Sequence, residues 1–154
     1  MTMLLPITPN DVVPQLRATS KKQALQEVAR KAAMETGEDE RSVFELLIQR
    51  ERLGSTGIGG GVAIPHARMA TLDRIYGVFA RLERPIDFDA IDNEPVDLVF
   101  MLLTPTNAGA DHLKTLARVS RLLRDPPTRQ KLRGATSADA IYALLTQAED
   151  SQAA

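Results

Sequence analysis

The sequence predicts an α/β or α+β domain in which helices flank one layered sheet. Three observations carry that expectation. Several stretches repeat apolar residues at helical spacing, at least three shorter runs are continuously apolar and bounded by turn residues, and the two kinds are interspersed along the chain. At 154 residues, 44% hydrophobic and 25% charged, the chain has the balance of one globular domain. A chain of this length buries roughly 70% of the surface its unfolded form exposes, so it needs no disulfide or structural metal.

The elements follow in order. Residues 1–19 form an extended N-terminal segment, because Pro6, Pro9 and Pro14 interrupt its apolar pieces and leave room for at most a brief strand. Ser20 and Gln23 have capping-box spacing, after which Ala24, Leu25, Val28, Ala29 and Ala32 recur at helical spacing until Gly37 stops the helix. A second helix is predicted over 39–53, with Val43, Leu46, Leu47 and Arg50 along one side and Gly54 as its left-handed terminator. Five of the nine glycines then fall within 54–61, followed by a short apolar run, 62–64, that ends in Pro65-His66. The runs 75–82 and 96–103 are too short for typical helices and rich in Val, Ile, Phe and Leu, as buried strands are. Between them Glu83, Asp87, Asp89, Asp92, Glu94 and Asp97 mark a solvated acidic surface.

A third helix starts near Asp111, with Leu113, Leu116, Ala117, Ser120 and Leu123 on one face. Asp125 closes it and caps a short helix that begins at Pro126 and ends at Gly134. Ser137 opens the last helix, whose apolar face is Ile141, Tyr142, Leu144 and Leu145. Residues 20–146 therefore make the domain proper, and 147–154 read as a frayed tail. Lysines and arginines between 114 and 133 make those two helices basic, as an ordinary solvated face would be.

Composition removes several classes of function. Cysteine is absent, which excludes thiol nucleophiles, Cys-ligated zinc and iron–sulfur clusters and fits a reducing cytoplasm. Nineteen basic against twenty acidic residues leave a net charge of −1, so there is no general attraction to nucleic acid or to a membrane surface. No apolar run approaches the ~20 residues of a membrane span, and the first ten residues lack the pattern of a secretory signal. The expectation is a cytoplasmic protein with no nucleic-acid partner and no stable membrane insertion.

The glycine segment 54–61 invites a nucleotide-binding reading, which fails on spacing. No Gly-Lys-Ser/Thr follows the glycines, the dinucleotide fingerprint would need a glycine at Val62, and the segment follows a helix and precedes a strand. What the glycines supply is close backbone approach, so that successive N–H groups can converge on an anion. His66 follows that loop directly, at the carboxyl end of the short run and behind a rigid proline. An imidazole so placed, neutral for the most part at pH 7, serves as base, metal ligand or covalent nucleophile. His112 falls in the first turn of the third helix, where the unpaired N–H groups favour an anion. Two histidines at the mouths of glycine-containing loops point to a shared site. Neither Asp111 nor Asp73 supplies a zinc-ligand spacing, and Ser55 lacks the Gly-x-Ser-x-Gly elbow of a hydrolase. Arg50 continues the apolar stripe of the second helix and so faces inward or sideways, where a guanidinium needs an anion and suits a phosphate. Histidine nucleophile, arginine clamp and amide-rich loop together describe a phosphoryl-accepting site.

The segment Arg50-Glu51-Arg52-Leu53-Gly54-Ser55-Thr56-Gly57-Ile58-Gly59, continued by Gly60-Gly61-Val62-Ala63-Ile64-Pro65-His66, closely resembles the active-site signature of enzyme IIA proteins of the mannitol/fructose class of the phosphotransferase system. The resemblance extends from Ser20 to about Leu145. Pro85-Ile86-Asp87-Phe88-Asp89-Ala90-Ile91-Asp92, Pro95-Val96-Asp97-Leu98-Val99 and Asp111-His112-Leu113 are most similar to the nitrogen-related branch, IIA-Ntr. It implies an α/β sandwich with a central mixed β-sheet flanked by helices. It also implies that His66 accepts a phosphoryl group on Nε2 from an HPr-like carrier (NPr), that His112 positions or stabilises the phosphohistidine, and that Arg50 supports transfer. Thr56, Gly57, Ile58 and Gly59 match the loop that shapes the pocket. No metal and no cofactor is implied. Partners expected from the branch are sensor kinases or potassium transporters, regulated according to phosphorylation state. The alternative is a sugar-specific IIA that passes the group to a IIB component.

Overall fold

Residues 96–105 explain the architecture. Strand alternation sends Leu98, Phe100 and Leu102 to one side and Val99, Met101 and Leu103 to the other, and all six are at most 1% exposed. A strand buried on both faces requires a layer on each. In the computed structural model, which describes residues 5–153, those layers are helices. The strands are β1 (Val12–Leu16), β2 (Gly57–Gly59), β3 (Val62–Ala63), β4 (His66–Met69), β5 (Tyr76–Ile86) and β6 (Val96–Pro105), and they form one sheet. The order is β1-β5-β6-β3-β2, with β4 also paired to β6. β5 and β6 run antiparallel while β1–β5, β3–β6 and β4–β6 are parallel, which makes the sheet mixed. The expected sandwich is therefore what the chain forms.

One face carries α1 (Lys21–Thr36) and α2 (Glu40–Leu53), whose Leu25, Val28, Ala29, Val43 and Leu47 pack with Val78, Ala80, Val99 and Met101. The other carries α3 (Ala110–Arg124), α4 (Pro126–Gly134) and α5 (Ala138–Ala153), whose Val119, Leu122, Leu132, Ile141 and Leu145 pack with Phe79, Leu98 and Phe100. The helix ends follow their local chemistry. Asp39 and Asp125 accept from the N–H groups of Ser42 and Thr128, each cap satisfying a donor that the helix itself leaves open. Gly37 ends α1 at φ 79°, a left-handed value that favours glycine.

Several expectations need correction. Ser20 accepts from the Gln23 N–H as predicted, but the Gln23 side chain reaches back to Thr19 N, one residue earlier than a capping box. Gly54 ends α2 at φ 155°, ψ 149°, a positive-φ conformation open to glycine but outside the left-handed helical region expected there. The N-terminal segment is part of the domain: β1 pairs with β5, and Tyr76 Oη donates to the buried Asp11 carboxylate at 2.6 Å. On α3 the buried stripe is His112, Thr115, Val119, Leu122 and Leu123, while Leu113 is 63% exposed. The stripe is turned about one position from the expected face because its first turn points polar residues at a site instead of apolar ones at the core. Residues 147–153 continue α5 as helix where a frayed tail is expected, in keeping with the helix propensity of Gln147, Ala148 and Glu149. Residues 1–4 and 154, which belong to the expected N-terminal segment and tail, lie outside the described residues.

The most consequential difference concerns His66, which begins a strand instead of ending one. β3 and β4 share a single register along β6, Val62 opposite Leu98 and His66 opposite Leu102, and are separated by Ile64-Pro65. Proline has no N–H to give the ladder, yet the Pro65 carbonyl accepts from Leu102 N at 2.9 Å, so the path bends without losing its register. Alternation then puts Ala67 and Met69 into the α1–α2 core and His66 and Arg68 on the opposite face, that of α3.

Candidate functional site

β4, the last turns of α2 and the first turn of α3 line an open cleft of about 550 Å³. Its walls carry Leu46, Gln49, Arg50 and Leu53 from α2, His66 and Arg68 from β4, and His112 from α3. Three residues singled out in the sequence are thus brought together. Arg50 Nε donates toward His66 Nε2 at 3.3 Å, and its Nη1 donates to the Gly54 carbonyl at 2.9 Å, which fixes the guanidinium across the end of its own helix. The ring centroids of His66 and His112 lie 5.7 Å apart.

The hydrogen bonds assign the tautomer of His66. Nδ1 is 2.8 Å from the Ile64 carbonyl, and a carbonyl oxygen only accepts, so Nδ1 carries the proton. Nε2 then holds the lone pair, the state in which it accepts from Arg50. Both contacts select the same form. Burial, first of all, holds the His66 pKa below its ordinary 6.5, and the positive charges of Arg50 and Arg68 act in the same direction. The bond to Ile64 and the charge of Glu51 oppose them without prevailing. His66 is accordingly neutral at pH 7 with its nucleophilic nitrogen facing the cleft wall that carries Arg50.

His112 is 5% exposed, and its Nδ1 lies 2.6 Å from Oγ1 of the fully buried Thr104. Burial lowers its pKa, and the charge of Arg68 and then the neighbouring His66 lower it further. Thr104 sits directly opposite Arg68 in the β4–β6 register. A strand pair and a helix terminus therefore bring Thr104 and His112 into one buried contact, with the exposed Arg68 beside Thr104 at the cleft edge.

The glycine-loop residues do not line the cleft. Thr56 N donates to Glu51 Oε2 at 3.2 Å and Thr56 Oγ1 donates to Glu51 Oε1; Gly57 N is taken by Ser55 Oγ and Gly60 N by Asp92 Oδ2. Those amides are committed, so they do not form the anion-binding array expected from the sequence. Gly57 is required by close approach, since a Cβ there would fall 2.8 Å from Ala90 Cβ. Ile58 is half-buried in β2 against the α3–α5 core, and Gly59, Gly60 and Gly61 hold three successive positive φ values that make the β2–β3 turn. Thr56, Gly57, Ile58 and Gly59 thus shape the backbone that leads to His66 rather than its pocket.

Three contributors escape sequence reasoning, and the first is Thr104 behind His112. Glu51 is a buried carboxylate satisfied by both Thr56 donors and by Lys21 Nζ at 2.7 Å, a set of partners without which its burial would be costly. It fastens the loop after α2 beneath that helix. Arg68 reaches the cleft because it lies two residues beyond His66 on one strand. Its only sequence signal is that spacing, which has meaning once β4 is known.

Comparison with known proteins matches the chain over residues 6–148 to the family described as phosphoenolpyruvate-dependent sugar phosphotransferase system, EIIA 2. A nitrogen regulatory protein of Bradyrhizobium diazoefficiens is 58% identical over 139 residues, covering 90% of this chain and 91% of that one. A nitrogen regulatory protein of Escherichia coli K12 is 44% identical over 137 residues, covering 88% and 83%. Among solved structures, the nitrogen regulatory protein IIA-Ntr of Neisseria meningitidis superposes with a TM-score of 0.87 at 38% identity, covering 92% of this chain and 97% of that one.

Proposed function

The chain belongs to the EIIA 2 family of the phosphotransferase system, in its nitrogen-related branch, and from that premise we propose that it is a cytoplasmic phosphocarrier that takes a phosphoryl group on Nε2 of His66. The observation that carries the reading is the locked tautomer of His66: proton on Nδ1 against Ile64, lone pair on Nε2 in an open cleft beside a guanidinium. The donor is an HPr-like carrier, NPr in this branch, that presents its own phosphohistidine.

In the transfer, the Nε2 lone pair forms a new N–P bond as the donor's N–P bond breaks, and the released electron pair returns to the donor's ring nitrogen. Two similar nitrogen–phosphorus bonds exchange, so little driving force is needed and positioning does most of the work. The Nδ1 proton stays with His66, where the Ile64 carbonyl supports the positive character that the ring gains. Arg50 stabilises charge developing on the phosphoryl oxygens. His112 acts as a neutral donor: with Thr104 giving its O–H to Nδ1, the ring keeps its proton on Nε2. The positive end of the α3 dipole adds to the field around it.

The phosphorylation state of His66 then selects the partners that are bound, with sensor kinases and potassium transporters as the target classes of this branch. The test is incubation with a phosphorylated HPr-type donor. An acid-labile, alkali-stable label that disappears in His66→Ala supports the carrier, and a label that persists there refutes it. Efficient onward transfer to a sugar-type IIB would replace the regulatory role with the sugar-specific one.

A further inference from the structure

We propose that Arg68 is the second phosphoryl-binding cation of the cleft, closing on the group once it is attached to His66 and setting how long the phosphorylated state lasts. The inference rests on the carrier reading above and extends it to a residue outside the resembling motif.

The argument begins with what Arg50 can still offer after transfer. Its Nε–H points at the His66 Nε2 lone pair and its Nη1 at the Gly54 carbonyl. Bond formation removes that lone pair, so the Nε–H must turn to a phosphoryl oxygen while Nη1 stays on the helix end. His112, with Nδ1 engaged by Thr104, has one ring N–H to give. The phosphoryl group brings three acceptor oxygens and a charge approaching −2. The donors already in place leave part of that charge unmatched.

Arg68 is the cation placed to match it. It shares a strand face with His66, lies opposite Thr104 in register, and lines the same cleft as both histidines. Its side chain has no hydrogen bond or ion pair to another described residue, in contrast to Arg81 and Arg133, which are tied to carbonyls and carboxylates. It is exposed at the rim, free to move onto an anion without first breaking a contact. Its field already reaches both rings, since it disfavours their protonation in the unliganded protein. A guanidinium with no competing partner among the described residues, set over a half-neutralised phosphoryl group, forms charge-assisted bonds that exist only in the phosphorylated state.

The experiment compares wild type, Arg68→Gln and Arg68→Lys in two measurements. In the first, the proteins are phosphorylated by an HPr-type donor, and the fraction labelled at equilibrium and the half-life of the label are followed. Arg68→Gln is expected to reduce both by about three- to tenfold, with Arg68→Lys recovering most of the loss and thermal unfolding unchanged. In the second, inorganic phosphate is titrated onto each protein and the ring signals of His66 and His112 are followed. Arg68→Gln is expected to weaken phosphate binding by a similar factor and to raise the titration midpoints of both histidines, which a merely structural residue would not do. Label lifetime and phosphate affinity equal to wild type in Arg68→Gln would overturn the inference. If wild type takes no label at all, the carrier reading falls, and the phosphate titration still decides the role of Arg68.

Discussion

Thr104 offers a sharp perturbation because valine matches its shape and removes only the hydroxyl. Oγ1 lies 2.6 Å from His112 Nδ1, in a place where Thr104 is fully buried and His112 is 5% exposed. Water does not replace the lost partner readily at such a position. A buried ring nitrogen left unsatisfied costs about 1–3 kcal/mol. For a domain of this size, each kcal/mol lowers the melting temperature by about 2–4 °C, so Thr104→Val should melt roughly 2–12 °C below wild type. The functional effect has a separate origin. Without the hydroxyl the imidazole is no longer held in one orientation or one tautomer, and phosphoryl transfer to His66 should slow by roughly ten- to a hundredfold. Thermal unfolding measures the first effect, and transfer from a phosphorylated HPr-type donor under single-turnover conditions measures the second. Nitrogen-15 spectra of the ring add a direct check, since wild-type His112 should show its proton on Nε2 and the variant a mixture. A valine variant with wild-type melting, transfer and ring spectra would refute the claim that Thr104 governs His112.

Both histidines hold pKa values below 6.5, so the folded state binds fewer protons than the unfolded chain as the pH falls through that value. Their contribution to stability is present above pH 6.5 and is lost as the pH falls from there through the lowered native values; denaturant titrations across that window should show the loss, and the double variant His66→Gln/His112→Gln should flatten it. Replacing Arg50 by lysine should slow phosphoryl acceptance by about tenfold or more in a rapid-quench assay, because a single ammonium cannot serve both His66 and the Gly54 carbonyl. Gly57→Ala should destabilise the domain by about 1–3 kcal/mol in equilibrium unfolding, since its Cβ would sit 2.8 Å from that of Ala90 and the β2 backbone would have to move.

Much of this site was legible in the sequence, and the reasons for success and failure are physical. The apolar runs that became β5 and β6 were plain because strands buried on both faces leave no polar alternation to obscure them. Ser20 and Asp125 mark helix starts through side chains that satisfy local N–H groups. Arg50 is legible because it continues a stripe that packs inward. β4 is not legible, because His66-Ala67-Arg68-Met69 alternates polar and apolar over only four residues and follows a proline. With that strand went Arg68, whose relation to His66 depends on the alternation, and Thr104, whose relation to His112 depends on how β6 meets α3. The glycine loop misled for a different reason. Glycines announce freedom and close approach, but whether the freed amides face a ligand or a neighbouring side chain is decided by Glu51, Ser55 and Asp92, which lie outside the glycine pattern.

The claim on which the rest depends is that one atom, His66 Nε2, receives the phosphoryl group. Nitrogen-15 and phosphorus-31 spectroscopy of histidine-labelled protein after incubation with a phosphorylated HPr-type donor observes that atom directly. The expected spectrum shows phosphorus coupled to Nε2 of His66, with Nδ1 of the same ring still protonated and His112 unmodified. Coupling to Nδ1 of His66, or to either nitrogen of His112, would contradict the account.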